Sequence, residues 1–510
     1  MTTVARREAR AANIMRLRRL GIDTYQEPVV YMSADCPVCR AEGWRAQTRL
    51  VVSHGRHSII ATLNVTTGNL LGPDEASLSN VAWALLGARE GDEVTLSHPA
   101  PLESLSHVRA KVYNQRLDEA AVHAVIEDIA AGRYSAIHLA AFVTACAGGR
   151  LDVDEVVALT RAMADVGDRL EWGHAPVVDK HSVGGLPGNR TTMLVVPIVA
   201  AYGLTMPKTS SRAITSPAGT ADAMETIAPV TLDLLAMRRV VEREGGCIVW
   251  GGAVRLSPAD DIIIRVERPL DIDSEGQLVA SVLSKKLAAG STHVVIDIPV
   301  GPTAKVRSPE AAASLGLLLS RVGRAVGLEI RLSESDGMQP VGRGIGPALE
   351  ARDVLEVLQR EPSAPVDLRN RAVHLAGQII EMAGGVPAGM GARVAGEILG
   401  DGRAWAKLQA ICNAQGGMRQ PPRAAFTSTV EARHRGRIQF IDNRRLARVA
   451  KLSGAPAAPE SGLELYTPLG TRVEAGQPLY TVHAAAPGEL AHALAYAEEN
   501  PDIVTIAEDS

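Results

Sequence analysis

Over the first hundred residues, apolar and polar positions alternate in short stretches bounded by turn residues. Arg49, Val51 and Ser53, then the run at 58–65, read as strands, with Gly68-Asn69, Gly72-Pro73 and Gly91-Asp92 as the turns. Residues 1–101 are expected to form a β-rich N-terminal domain. From residue 105 to 172 the period lengthens. Val122, Val125, Ile126 and Ile129 recur at steps of three and four behind Asp118, and Gly132 ends the run. Asp152 with Glu155 is a capping-box start for the next helix, which carries Val156, Leu159 and Met163. Residues 102–174 read as a helical domain, joined by residues from about 258 to 290.

Beyond residue 174, short apolar strands alternate with loops and helices. Val177-Val178 leads to a Gly-rich loop and a helix from about Thr192. Leu204-Thr205-Met206 leads to a hydroxyl-rich loop and a helix from about Thr220. Val294-Val295-Ile296-Asp297-Ile298 leads to Gly301-Pro302-Thr303. This rhythm predicts a parallel sheet wound with helices over residues 175–422. After Pro421-Pro422, strand-like Ile438-Gln439-Phe440-Ile441 and Leu479-Tyr480-Thr481-Val482 predict a C-terminal β/α domain over 423–510, with an Ala/Pro/Ser linker near 454–461. The fold class is α/β: a helical domain plus a mixed α/β sheet domain, between a β-rich N-terminal domain and a C-terminal β/α domain.

Composition narrows the function. The chain has 510 residues, 46% apolar and 22% charged, with a net charge of -4, as expected of a folded globular protein with several domains. Aromatics are only 3%, and 53 Lys+Arg are outweighed by 57 Asp+Glu, so a nucleic-acid partner is not expected. The longest apolar stretch, 193–206, is broken by Pro197 and Gly203 and is shorter than the ~20 residues that cross a bilayer, so neither is a membrane. Cys36, Cys39, Cys146, Cys247 and Cys412 do not look like a secreted disulfide framework and fit a reducing cytoplasm. Arg6, Arg7, Arg10, Arg16, Arg18 and Arg19 are Arg-rich as in a transit peptide. Arg outnumbers Lys throughout, however, and an ordinary basic surface helix is expected.

Two loops carry the candidate chemistry. Residues 179–192 run Asp-Lys-His-Ser-Val-Gly-Gly-Leu-Pro-Gly-Asn-Arg-Thr-Thr between a strand and a helix start. Glycines let backbone approach an anion, the helix N-terminus offers unpaired N–H groups, and Lys180, Ser182 and Thr192 add donors. Residues 208–220 form a second hydroxyl-rich loop one strand later, at the same carboxyl edge of the sheet. The pair suits phosphate or a phosphorylated sugar. Neither a Walker loop nor a nucleophile elbow is present.

These loops resemble the signature loops of the thymidine phosphorylase family, and most closely of its AMP phosphorylase branch. Residues 280–287 resemble the helix that contacts the base, and residues 335–346 resemble another family segment. The likeness spans about residue 105 to the C-terminus, and the N-terminal extension resembles that of the AMP phosphorylase branch. It implies a nucleoside phosphorylase/phosphoribosyltransferase-like fold and reversible phosphorolysis of an N-glycosidic bond, releasing a nucleobase and a pentose 1-phosphate. It also implies no cofactor, phosphate being a substrate, and a homodimer or larger homo-oligomer. Carried over by position, Lys180, Ser182, Thr192, Ser210 and Thr220 hold phosphate. Gly185, Ser211, Arg212, Ala213, Ile214, Thr215, Ser216, Thr220, Ser281 and Lys305 contact the nucleotide, and Asp273 is the proton donor.

The chemistry of the residues agrees. A phosphate fixed beneath the anomeric carbon stabilises a cationic sugar and collapses onto it, so no protein nucleophile is required. The departing base needs a proton or a cation, for which Asp273, His181 and Lys285 are candidates. Thymidine phosphorylases resemble one another in an Arg that faces the pyrimidine. Val266 stands at that position, between Arg265 and Arg268. With Arg190, Arg212, Arg265 and Lys305 as charge for a second anion, this favours a nucleoside 5′-monophosphate of the AMP, CMP or UMP type over thymidine, with ribose 1,5-bisphosphate as product.

Three alternatives stay open. A phosphoribosyltransferase of the anthranilate type would need acidic ligands for magnesium. A non-catalytic nucleotide-binding protein would bind without releasing base. Cys36 and Cys39, followed by His54 and His57, read as a zinc site, a redox pair or a reduced turn.

Overall fold

The computed structural model describes residues 13–213, 216–270, 272 and 274–507. Its contacts divide the chain into two compact units, Met1–Ala145 and Cys146–Ser510.

In the first unit, six strands close a barrel in the order Ile14–Leu17, Glu75–Leu78, Val29–Ser33, His57–Thr66, Arg49–His54 and Glu93–Ser97. Closure leaves no unpaired edge, and Met15, Met32, Leu50, Leu63 and Leu96 fill the interior. The basic helix expected at the N-terminus is, from Ile14, a strand. Met15 and Leu17 turn inward while Ile14 and Arg16 turn outward, and pairing with Glu93–Ser97 and Glu75–Leu78 closes the barrel. Arg6, Arg7 and Arg10 lie outside the described residues. Helices Leu105–Val112, Glu119–Ala130 and Ala136–Cys146 follow. Asp118 caps the second of them, accepting from Ala121 N at 2.8 Å.

The second unit opens with helix Val153–Asp165. Its capping box is complete: Glu155 N donates to Asp152 Oδ1 at 2.9 Å, and Asp152 N donates to Glu155 Oε2 at 3.0 Å. Helix Glu275–Ala288 packs on it so closely that a Cβ on Gly276 would stand 3.1 Å from Val156. Beside them lies a parallel sheet ordered Glu329–Asp336, His293–Val300, Val178–Ser182, Met206–Ser210 and Gly246–Trp250. The Val177–Thr205 bridge joins its two halves. Helix Thr191–Tyr202 is apolar all round because it is buried on every side, and it forms part of the main core with Met224, Ile248 and Leu375.

The C-terminal part holds two small antiparallel sheets and helices Asn443–Leu452 and Pro487–Glu499. The segment 454–461, expected as a linker, is packed structure instead. Ser461 is fully buried and accepts from Ala485 N at 3.1 Å, and Pro459 O accepts from Ala348 N at 2.9 Å. Its composition resembles a linker, but small residues also pack closely. Among the described residues, no helix is long and apolar enough to cross a membrane.

Candidate functional site

The chain runs outward from Val178–Ser182 through Met206–Ser210 to Gly246–Trp250, then returns to the other side for His293–Val300 and Glu329–Asp336. The direction of winding reverses between Val178–Ser182 and His293–Val300. Open parallel sheets bind ligands in the crevice outside the carboxyl ends at such a point. Loops from both strands meet there. Gly185, with φ +81°, lies so close to Lys305 that a Cβ would collide with the Lys305 backbone nitrogen.

Lys180 ends 1% exposed, its Nζ donating to the neutral hydroxyl Thr191 Oγ1 at 2.7 Å. Burial lowers its pKa to about 8; Asp297 opposes this, and Arg371 and Arg190 add to it. Ser182 Oγ donates to Asp297 Oδ2 at 3.0 Å, and Asn189 Nδ2 donates to the same oxygen at 3.2 Å. Ser335 Oγ donates to the other oxygen, Asp297 Oδ1, at 2.5 Å. A fully buried carboxylate on the central strand thus orients the expected phosphate hydroxyl Ser182.

Asp179 lies between two lysines, with Lys208 Nζ 3.2 Å from Oδ1 and Lys286 Nζ 2.8 Å from Oδ2. Burial opposes its ionisation, but these ammonium groups hold its pKa below the usual carboxylate range. Half-buried His181 is held neutral, its pKa pushed well down by burial and by Lys286, Lys208, Lys180 and Lys285. Lys285 Nζ pairs with Asp260 Oδ2 at 2.5 Å. Burial works against its charge, but Asp260 and Asp261 outweigh burial and raise its pKa. Lys285 and Lys286 are therefore both ion-paired. Ser281 stands on the same helix, four residues before Lys285, with its carbonyl accepting from Ser284 Oγ at 3.4 Å.

In the second loop, Ser210 Oγ is buried with no hydrogen-bond partner. Such an orphaned hydroxyl at the end of a sheet strand has a donor and an acceptor to offer a ligand. Thr192 is buried in the first turn of its helix, and Thr220 starts the next helix and accepts from Arg190 Nη1 at 3.0 Å. The Asp222 carboxylate holds the turn, accepting from Ala213 N at 2.6 Å and Gly219 N at 2.8 Å. Ser216 Oγ turns back to Ala218 O at 2.9 Å, and Ser211 is exposed. Ile214, Thr215 and Asp273 lie outside the described residues.

Two expected sources of spare charge are not spare. Arg190 is buried with its Nε on Glu350, and its Nη2 donates to Ala218 O at 2.8 Å. Arg212 pairs with Glu225 through bonds of 2.5 and 3.0 Å and lies 4.9 Å above the Trp250 ring. Neither Glu350 nor Glu225 is adjacent in sequence. The four residues of the zinc reading are not assembled: Cys36 and Cys39 are buried in the barrel core, whereas His54 and His57 face each other at a hairpin end. Among the described residues, no three His, Cys, Asp or Glu form a metal-holding group.

Sequence reading overlooked Asp297, Asn189, Lys208 and Lys286. A signal existed for Asp297, since an acid inside an apolar strand must find partners when it is buried.

Buried lysines beside the switch point of a parallel α/β sheet, with a helical layer next to it, suit a protein that binds a small anion. Comparison with known proteins narrows the class. Residues 174–405 match the glycosyl transferase family a/b domain, 105–167 its helical bundle domain, and 437–504 the pyrimidine nucleoside phosphorylase C-terminal domain. A Polaromonas sp. (strain JS666 / ATCC BAA-500) protein named "Putative thymidine phosphorylase" is 64% identical over 496 residues, covering 97% of each chain. "Putative thymidine phosphorylase 2" of Acidovorax sp. (strain JS42) is 64% identical over 505 residues, 99% of this chain and 98% of its own. The crystal structure of anthranilate phosphoribosyltransferase from Thermus thermophilus is 21% identical, covering 60% of this chain and 98% of that one, with a TM-score of 0.48. The chain belongs to the thymidine phosphorylase family and is a glycosyltransferase of the nucleoside phosphorylase kind.

Proposed function

We propose that the enzyme uses inorganic phosphate to cleave the N-glycosidic bond of a nucleoside 5′-monophosphate, releasing free base and ribose 1,5-bisphosphate, reversibly and without a cofactor. The observation that carries this is Lys180: a buried ammonium at the switch point that rests on a neutral hydroxyl, beside the oriented Ser182 and the orphaned Ser210. A phosphate oxygen held by these groups forms a bond to the anomeric carbon as the carbon–nitrogen bond breaks, and the electron pair leaves with the base. His181, being neutral, is a poor general acid. Lys285, kept cationic by Asp260, stabilises the departing base, and Asp273 supplies the proton.

The second anion is assigned to Lys305, held beside Gly185. Arg190 and Arg212 are withdrawn from that role by Glu350 and Glu225. This withdrawal, with the names of the relatives, supports thymidine as the second reading. Phosphate-dependent base release from AMP, CMP, UMP, uridine and thymidine distinguishes them. We expect kcat/KM at least about tenfold higher for a monophosphate than for any nucleoside, the yield of one added charge-assisted contact. Turnover of thymidine alone replaces the first reading with the second. Absence of base release from all five, with phosphate or arsenate, overturns both.

We also propose a homodimer or larger homo-oligomer. Exposed Val112, Tyr113 and Ile137 on the helical part of the first unit support it. The five cysteines, all free and buried, support a cytoplasmic location.

A further inference from the structure

Residues 301–305 leave the central strand His293–Val300 at the crevice and carry Lys305 against Gly185. A surface loop at a ligand site is ordinarily the mobile part of such a sheet. This one is gripped from outside by the first turn of helix Asn443–Leu452, an element of the C-terminal part. Asn443 is 1% exposed. Its Nδ2 donates to Thr303 Oγ1 and to Gly337 O, each at 3.0 Å, and its backbone N donates to Thr303 Oγ1 at 3.2 Å. Gly337 in turn donates its N–H to Val300 O at 2.9 Å, and its carbonyl oxygen lies where it would collide with a Cβ on Gly301. The helix turn is itself held, since Asp442 Oδ1 accepts from Arg444 N at 2.9 Å and Arg445 N at 3.0 Å. One buried amide therefore ties the loop after the central strand to the loop after its neighbour.

We infer that Asn443 is a positioning residue: through Thr303, the C-terminal domain clamps residues 301–305 so that Lys305 stays in the substrate crevice. This rests on the proposed contact of Lys305 with the nucleotide, and it gives the C-terminal domain a part in substrate binding. The clamp needs an acceptor at Thr303. Thr303→Val keeps the shape but leaves both Asn443 donors facing a methyl group, whereas Thr303→Ser keeps the hydroxyl.

In the full-length enzyme, Thr303→Val is expected to raise the nucleotide KM about tenfold while kcat and the phosphate KM stay within about twofold. Amide exchange of the 301–306 segment should quicken, and Thr303→Ser should restore both readouts. Unchanged exchange in Thr303→Val overturns the clamp, and faster exchange with an unchanged KM overturns its role in binding. Lys305→Ala separates this from the reading beneath it. If that variant leaves the nucleotide KM untouched, the substrate contact has failed, and exchange rates alone decide the clamp.

Discussion

Lys180 shows how much one residue's surroundings add to its identity. Its charge and its place before a Gly-rich loop were legible in the sequence, and so were the hydroxyls of Ser182, Thr192, Ser210 and Thr220. The pKa of about 8 was not, because it comes from burial and from Arg371 and Arg190, brought near by folding. Below pH 8 the ammonium, on the proposed function, attracts phosphate. As pH rises through 8 it is lost, while phosphate is already largely dianionic. The phosphate KM should therefore climb above pH 8, by at most about tenfold per unit, in initial-rate measurements across pH 6.5–9.5. Lys180→Met, similar in volume, should lower turnover by about a thousandfold or more without loss of the thermal transition. The depressed pKa means that the charged lysine opposes folding below pH 8, so its removal relieves a cost. Retained turnover would overturn its role. Arg190 and Arg212 read as spare charge because nothing local announced Glu350 or Glu225 as partners.

At the scale of elements, local rules served well. The Asp118 cap, the Asp152–Glu155 box and the strand-loop-helix rhythm all appear in the structure, since each depends on neighbours within a few positions. The N-terminal strand and the packed 454–461 segment were misread because barrel closure and domain packing decided them. The first loop sharpens the contrast between local and tertiary demand. Gly184 and Gly185 both have positive φ, but a Cβ on Gly184 meets nothing within 4 Å, whereas one on Gly185 strikes the Lys305 backbone. Gly184→Ala should cost roughly 1–2 kcal/mol of stability with kinetics nearly unchanged. Gly185→Ala should add a fall in kcat/KM of about a hundredfold, because residues 301–305 must move. Equal kinetics for the two variants would show that the close approach does not matter.

At the scale of the molecule, the proposed assembly is checked by light scattering, with an expected mass of at least twice the 53.8 kDa chain. Ile137→Glu, which puts a charge on an exposed apolar position, should shift that mass toward the monomer. A monomeric wild-type protein removes the proposal. Fold class, the sheet rhythm and the two candidate anion-binding loops were determined by the sequence, because hydrophobic period, caps and glycine placement act over a few residues. Only the tertiary structure decided that the strand order reverses between Val178–Ser182 and His293–Val300. It also decided that Asp297 orients Ser182, that Asp179 joins two buried lysines, and that Glu350 silences Arg190. Such pairings join positions more than a hundred residues apart in several cases, and they are set by which strands and helices pack together rather than by local periodicity.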